Sequence, residues 1–393
     1  MKPKLIRIST IAMSLDFLLK GQLAFLNQHF EVVAVSGEDD HLRTVAEREG
    51  VRTISIRMQR NISPFKDLIS LVQMYWLFKR EKPQIVHSIT PKAGLISMLA
   101  AKLAGVPLRI HTFTGLIFPS KNGLFQKILI AMDRLLCCCA THVYPEGQGV
   151  KKDLIDYKIT SKPLKVIANG NVNGVDTAYF SKEAVSNQEQ QSLKKELGIN
   201  ENDFVFIFVG RLVGDKGINE LVTAFSKLST KNQQPTTVNL KLLLVGPLES
   251  DLDPLQPDTL KEIETNPNII TVGFQTDVRK YYAVADALVF PSYREGFPNV
   301  VLQAGAMGLP SIVTDINGSN EIIVDGENGI IVPPKNAAAL QQPMFKMMME
   351  VGLYNQLQKN SRVMIVSRYE QQLVWEAILK EYEMELEKLG TRK

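Results

Sequence analysis

Short apolar runs recur along this chain, each ending in a turn rich in Gly, Pro, Ser or Asn that leads into a helical pattern. In the first half the runs fall at residues 5–10, 31–36, 53–56, 85–88 and 108–112, with helical patterns at 15–27, 64–80 and 91–104 between them. Further on, runs at 204–209, 241–245, 269–272 and 287–290 repeat the arrangement. Strands that are apolar on both faces have to be covered on both faces, so this alternation implies an α/β fold with parallel sheets and helices on either side. A chain of 393 residues makes two such domains of ordinary size. The spacing predicts domains at 1–178 and 179–368 and a terminal helix within 369–393, with residues 186–192 an exposed polar connection.

Apolar content of 45% and charged content of 22% suit a soluble globular protein. No stretch of 18 uncharged apolar residues and no secretory leader is visible, which predicts a cytoplasmic location. The three cysteines are consecutive, Cys137, Cys138 and Cys139, a pattern with neither disulfide nor zinc-ligand spacing, so small apolar filler on a helix is expected. The net charge of +4 conceals an asymmetry: residues 1–175 hold 24 Lys/Arg against 13 Asp/Glu, and the rest hold 21 against 28. The basic half should attract anions. Its cations are scattered and no nucleic-acid motif accompanies them, so an anionic membrane surface or a lipid-diphosphate acceptor is the expected partner, not nucleic acid. Residues 64–82 and 118–140 place Lys and Arg beside aromatic and large apolar groups, as a helix at a membrane surface needs; amphipathic cover for the sheet gives the same pattern.

Two places read as anion sites. The strand at 204–209 runs into Gly210-Arg211-Leu212-Val213-Gly214-Asp215-Lys216-Gly217 before a helix at 218–228, so a glycine-bearing turn carries two cations at a strand end. The strand at 287–290 runs into a Pro/Ser/Gly turn with Glu295, Gly296, Phe297, Pro298 and Asn299, where a helix begins near Pro298 and offers backbone N–H groups to an anion. Gly246 and the pair Gly273 and Phe274 end the two remaining runs. A Gly-x-Gly-x-x-Gly after the first strand is absent, which removes the main support for a dinucleotide-dependent dehydrogenase. By position, the loop at 10–15 should face a ligand-binding crevice. His87 and His111 lie at or near strand ends; His111 either lines a cleft or is a hydrogen-bonded structural residue.

The stretch from Pro291 to Gly329 resembles the donor-binding signature of the GT4-type retaining glycosyltransferases of the GT-B fold, of the kind that build bacterial surface polysaccharides. That signature is a Glu, seven residues and a second Glu beside a Gly-Phe-Pro turn. Here Glu295 fills the first position and Gln303 replaces the second. Asn173-Gly174-Val175-Asp176 is similar to the family's interdomain turn, and the family's His-Gly after the fifth strand is Thr114-Gly115 here, with His111 three residues earlier. Asp251-Leu252-Asp253 looks like the metal motif of the other glycosyltransferase fold, but it sits in an acidic, proline-containing loop without that fold's context and reads as solvated.

The resemblance implies two Rossmann-like domains facing a cleft, with a terminal helix crossing back to the first. It implies a metal-independent, retaining transfer of a hexose or N-acetylhexosamine from a UDP-sugar to a lipid-linked or growing glycan, with a peripheral seat on the inner face of the plasma membrane. Arg211 and Lys216 would hold the diphosphate and Glu295 the donor-sugar hydroxyls. Gln303 would meet the ribose, and the turns at Gly210, Gly246, Gly273, Phe274, Gly296, Phe297, Pro298 and Asn299 would receive the nucleotide. No cofactor beyond the sugar nucleotide is expected. The competing readings are an epimerase or phosphorylase of the same fold, and a non-catalytic nucleotide-sugar binder in which Gln303 marks decay.

Overall fold

The apolar runs form strands, and neighbouring strands pair in parallel. The computed structural model describes residues 2–59, 63–231, 239–249, 251 and 253–390; Leu252 of the Asp-x-Asp sequence and residues 391–393 of the expected terminal segment lie outside the described residues. The chain up to Gly174, joined by the segment from Gln371 onward, makes one unit, and Val175–Glu370 makes another.

The first unit is built on β1 (Lys4–Ile8), β2 (Glu31–Ser36), β3 (Arg52–Ser55), β4 (Ile85–Ser88), β5 (Leu108–Phe113) and β6 (His142–Pro145), in the order β3-β2-β1-β4-β5-β6. Alternation sorts these side chains onto two cores. Ile6, Ile8, Val33, Val35 and Val86 pack on one face of the sheet, and Leu5, Val32, Ala34, Ile85 and Ile110 on the other. The strand order reverses between β1 and β4, the place where open parallel sheets leave a crevice at the carboxyl ends of their strands.

The second unit repeats the plan with β7 (Asp203–Val209), β8 (Asn239–Val245), β9 (Ile269–Thr271), β10 (Ala287–Phe290), β11 (Ser311–Thr314) and β12 (Gly329–Val332). Its order is β12-β11-β10-β7-β8-β9, so the reversal falls between β7 and β10. The expected pair of doubly wound parallel sheets is therefore present.

Two local expectations fail for identifiable reasons. Residues 15–27 are two helices, Ala12–Leu18 and Gln22–Asn27, broken at Gly21 in the left-handed region at φ +81°, where an added Cβ would lie 2.6 Å from the Trp375 ring. Residues 186–192 are not a connection but the start of the helix Asn187–Glu196. Ser186 accepts from the Glu189 amide while the Glu189 carboxylate accepts from the Ser186 amide, a capping box, and Leu193 is buried beneath.

The helix Gln371–Gly390 completes the first unit. Val374, Ile378 and Tyr382 line its buried face, whereas Leu373, one position off this stripe, is exposed. Tyr382 reaches the centre of the sheet. There the Arg7 guanidinium, 1% exposed, stands 2.6 Å from the Tyr382 hydroxyl and 2.5 Å from His87 Nδ1, and His87 Nε2 lies 2.7 Å from the Thr112 hydroxyl. Burial and the Arg7 charge hold His87 well below the usual histidine range, so its ring is neutral and can accept from the cation. A buried cation tolerates few losses among its partners. We predict that Tyr382→Phe, which keeps the ring and deletes one partner of Arg7, costs about 1–3 kcal/mol. A lowered denaturation midpoint is the expected result, and an unchanged one would show that Arg7 does not depend on this hydroxyl.

Candidate active site

The loops that follow β7 and β10 meet at the reversal of the second sheet. After β7 the chain makes a single 3₁₀ turn, Gly214–Lys216, passes Gly217 at φ +72° and enters the helix Ile218–Lys231. A Cβ on Gly217 would lie 2.2 Å from the Pro291 carbonyl oxygen, so the two loops touch at backbone distance. The Tyr293 amide donates to the Asp215 carbonyl at 2.9 Å, and the Arg294 guanidinium pairs with the Asp215 carboxylate at 2.9 Å. Asp253 secures the same turn: its carboxylate accepts from the Asp215 amide at 2.5 Å and its carbonyl from the Gly214 amide at 3.1 Å. Asp253 is thus a structural cap of the loop, a role its sequence did not announce.

This packing brings Lys216 and Glu295 into an ion pair, with each side chain 17% exposed. The Ser292 hydroxyl donates to the same Glu295 carboxylate at 2.9 Å, and the Lys216 ammonium lies 5.7 Å from the centre of the Phe290 ring. Ser292 and Asp215 were absent from the expected site, although both stand inside its two motifs. Below the pair, the Tyr293 hydroxyl donates to Glu220 at 2.6 Å; burial and that carboxylate push its pKa up.

The other expected donor residues gather around the same strand ends. Gly210, Gly246 and Gly273 lie side by side: the Gly210 amide donates to the Val245 carbonyl and the Gly246 amide to the Gly273 carbonyl, both at 2.9 Å. A Cβ on Gly246 would fall 1.8 Å from the Gly210 oxygen, which excludes any side chain there. Phe274 follows with its ring 67% exposed. Arg211 pairs with Glu249 at 2.9 Å, a partner that its motif does not announce. Phe297 is buried against Tyr369 with ring centres 5.5 Å apart, so it anchors the turn and presents only backbone. Gly296 and Pro298 lie against Gly318, whose added Cβ would come within 2.5 Å of the Gly296 oxygen. The helix Asn299–Ala306 starts just after Pro298 and carries half-buried Gln303 one turn in.

In the first unit the expected loop at 10–15 is only Ser9–Ile11 before the helix Ala12–Leu18 begins, and Thr10, Ile11 and the helical Ser14 line a cavity of about 330 Å³. His111 takes the second of its two expected placements. It is fully buried in β5, 2.8 Å from the Ser88 hydroxyl, edge-on to Phe113 and packed under Gly94. Burial drives its pKa down to about 3, so it is a neutral interior group and does not form an open cleft wall.

Comparison with known proteins agrees with this fold. Residues 189–364 match the family described as glycosyl transferases group 1, and residues 11–144 match the glycosyl transferase 4-like family. The chain is 32% identical over 377 residues to the capsular polysaccharide biosynthesis glycosyltransferase CapM of Staphylococcus aureus, covering 95% of each. It is 28% identical over 344 residues to the UDP-Gal:alpha-D-GlcNAc-diphosphoundecaprenol alpha-1,3-galactosyltransferase of Escherichia coli, covering 87% of this chain and 86% of that one. In fold it is similar to Anabaena Alr3699/HepE, crystallised in complex with UDP and glucose, with a TM-score of 0.79 at 17% identity over 97% of this chain and 100% of the other.

The contact between the two loops can be tested with a pair of substitutions. Gly217 and Gly308 both have left-handed backbones, but only Gly217 has atoms in the way of a side chain; Gly308 has nothing within 4 Å. Alanine at either costs about 1–2 kcal/mol for the left-handed conformation. Gly217→Ala should lower the melting temperature clearly more than Gly308→Ala does. Equal shifts would mean that the loops part without cost.

Proposed function

This chain belongs to the glycosyl transferases group 1 family, GT4 type, and from that footing we propose that it moves a hexose or N-acetylhexosamine from a UDP-sugar, with retention, to an acceptor on a lipid diphosphate. Its two doubly wound sheets are those of the GT-B glycosyltransferases. The observation that carries the proposal is the Lys216 and Glu295 pair at the reversal between β7 and β10, beside three strand ends that carry only glycine. The UDP in the Anabaena structure supports the donor, and the lipid diphosphate in the name of the Escherichia coli relative supports the acceptor.

Lys216 meets the departing diphosphate as a compact charge, and Arg211 meets it with a planar fork. Arg211 must first leave Glu249, but with side-chain exposures of 42% and 33% that pair is worth only about 0–1 kcal/mol. A diphosphate therefore outcompetes it. The arrival of phosphate at Lys216 also releases Glu295, whose carboxylate then accepts from donor-sugar hydroxyls. Phe274 and the Gly273 backbone offer an apolar face to the base, and Gln303 hydrogen-bonds the ribose. During transfer the bond from the anomeric carbon to the diphosphate oxygen breaks and one to the acceptor oxygen forms on the same face. The acceptor's proton passes to the departing diphosphate. His111, buried and neutral, has no step in this scheme, and two cations at the diphosphate make a divalent ion dispensable.

The test is an assay with UDP-sugars and a lipid-diphosphate acceptor, read as UDP released and glycolipid formed. Lys216→Ala should lower turnover by about 10²–10³-fold, the loss typical when one stabilising group is removed from a developing oxyanion. EDTA should leave the parent's turnover intact. Near-parental transfer by Lys216→Ala, or activity lost to EDTA and restored by Mn²⁺, would overturn the scheme.

Peripheral membrane contact is the second part of the proposal. Among the described residues no helix is long and apolar enough to cross a membrane. The helix Pro64–Glu81 exposes Phe65, Leu68, Ile69, Val72 and Trp76, and Gly123–Cys139 exposes Leu124, Phe125, Ile128 and Leu135; both pack on the helix Pro91–Ala104 between them. Lys66, Lys79, Arg80, Lys121 and Lys127 are exposed among these groups. Each cation near an anionic leaflet contributes about 1 kcal/mol. The protein should sediment with vesicles of anionic lipid at low salt and less so as salt rises. Sedimentation that survives neutralisation of all five cations would place the contact elsewhere.

A further inference from the structure

The amino ends of β5 and β6, opposite the end of the sheet where the crevice lies, frame a cavity of about 510 Å³. Pro107 and Leu108 lie where β5 begins, and Thr141 and His142 where β6 begins. Cys138 and Ala140 bring in the end of the helix Gly123–Cys139, and Glu385 and Lys388 the last turns of Gln371–Gly390. The volume falls in the range of small-molecule sites. Its polar lining is Arg109, Thr141, His142, Lys162, Glu385 and Lys388, so cations outnumber the single carboxylate.

That carboxylate is already engaged, since Glu385 lies 3.0 Å from His142 Nε2 and 2.6 Å from the Lys388 ammonium. Arg109 and Lys162 meet backbone carbonyls and, among the described residues, no carboxylate. The Arg109 guanidinium donates from Nε to the Cys139 carbonyl at 2.8 Å and from Nη1 to that of Val106 at 2.6 Å. The Lys162 ammonium donates to the Cys137 carbonyl at 2.6 Å and to that of Ala140. Capping the helix offsets only part of this charge, because the carbonyls of a helix end amount to about half an elementary charge. Burial, with Arg109 and Lys102 nearby, holds the Lys162 ammonium below the usual lysine range, as suits a cation short of counter-charge. Arg109 also keeps N–H groups beyond the two that the carbonyls take, since a guanidinium has five.

We infer that this cavity binds a phosphate group, with the Arg109 fork and the Lys162 ammonium as its donors. A carboxylate is used up by a guanidinium fork alone, whereas a phosphate has oxygens for the fork and for a point charge together. Two recessed cations suit one small phosphate ester or one headgroup; a nucleic acid needs a stripe of cations along a face. The site belongs to the first unit and does not rest on the transfer reading.

Cys138 supplies a readout inside the cavity. It is exposed whereas Cys137 and Cys139 are buried, so neutral iodoacetamide should label one thiol of the folded chain. Inorganic pyrophosphate should slow that labelling at least fivefold relative to sodium chloride of equal ionic strength. Vesicles of phosphatidic acid, set against phosphatidylcholine, test whether the phosphate is instead that of a lipid headgroup. Protection of the parent by either source supports the site, and protection by neither overturns it before any variant is made. Arg109→Gln and Lys162→Gln should each raise the half-protecting concentration at least tenfold, with labelling of a single thiol showing that the variant is folded. Parental protection in both folded variants would overturn the inference. Lys216→Ala should be protected like the parent; loss of protection there would place the phosphate at the donor loops and overturn it as well.

Discussion

Backbone contact between loops is the constraint on which the donor site depends. Three glycines mark it: Gly217 against Pro291, Gly318 against Gly296, and Gly246 against Gly210. Each lets one strand-end loop lie on its neighbour with no side chain between them, so main chain forms the floor of the site. Only then do Lys216 and Glu295, which arrive from different strands, come within reach of each other. The charges are conspicuous in the sequence, but the glycines place them. A cation on a loop that stood off by the thickness of one methyl group would meet solvent instead of its partner.

Much of the architecture was legible because strands buried on both faces leave uninterrupted apolar runs, and their turns carry Gly and Pro at the carboxyl ends. The donor loops were legible for the same reason: a charged residue just after a buried strand has nowhere to go but the crevice. What could not be read depends on partners distant in the chain. The break at Gly21 answers to Trp375, the Arg211 side chain to Glu249, and Asp253 to the Asp215 amide. His111 shows the limit most plainly. Its position at a strand end suggested a site, yet alternation along β5 turns it inward toward Ser88 and Gly94. One signal was present and passed over: Ser186 with Glu189 spells a helix start.

The charge imbalance between the halves takes on a spatial meaning. In the first unit the cations of the helices Pro64–Glu81 and Gly123–Cys139 stand on the exposed side among apolar groups, and the strands add the cations Lys4, Arg7, Arg52 and Arg109. Arg7 alone of these four is fully buried, and a helix from the far end of the chain gives it a hydrogen-bond partner.

That dependence has a temporal side. During synthesis the six strands of the first unit leave the ribosome before any of the second, yet Tyr382, which hydrogen-bonds to Arg7, is made after all twelve. Until then the sheet holds a guanidinium short of one partner and an apolar surface, around Phe30 and Leu23, that awaits Ile378 and Tyr382. Domains generally fold as units in the order of their synthesis. Here the first to emerge is the last to be finished, and the second unit can close its own core while the first is still waiting.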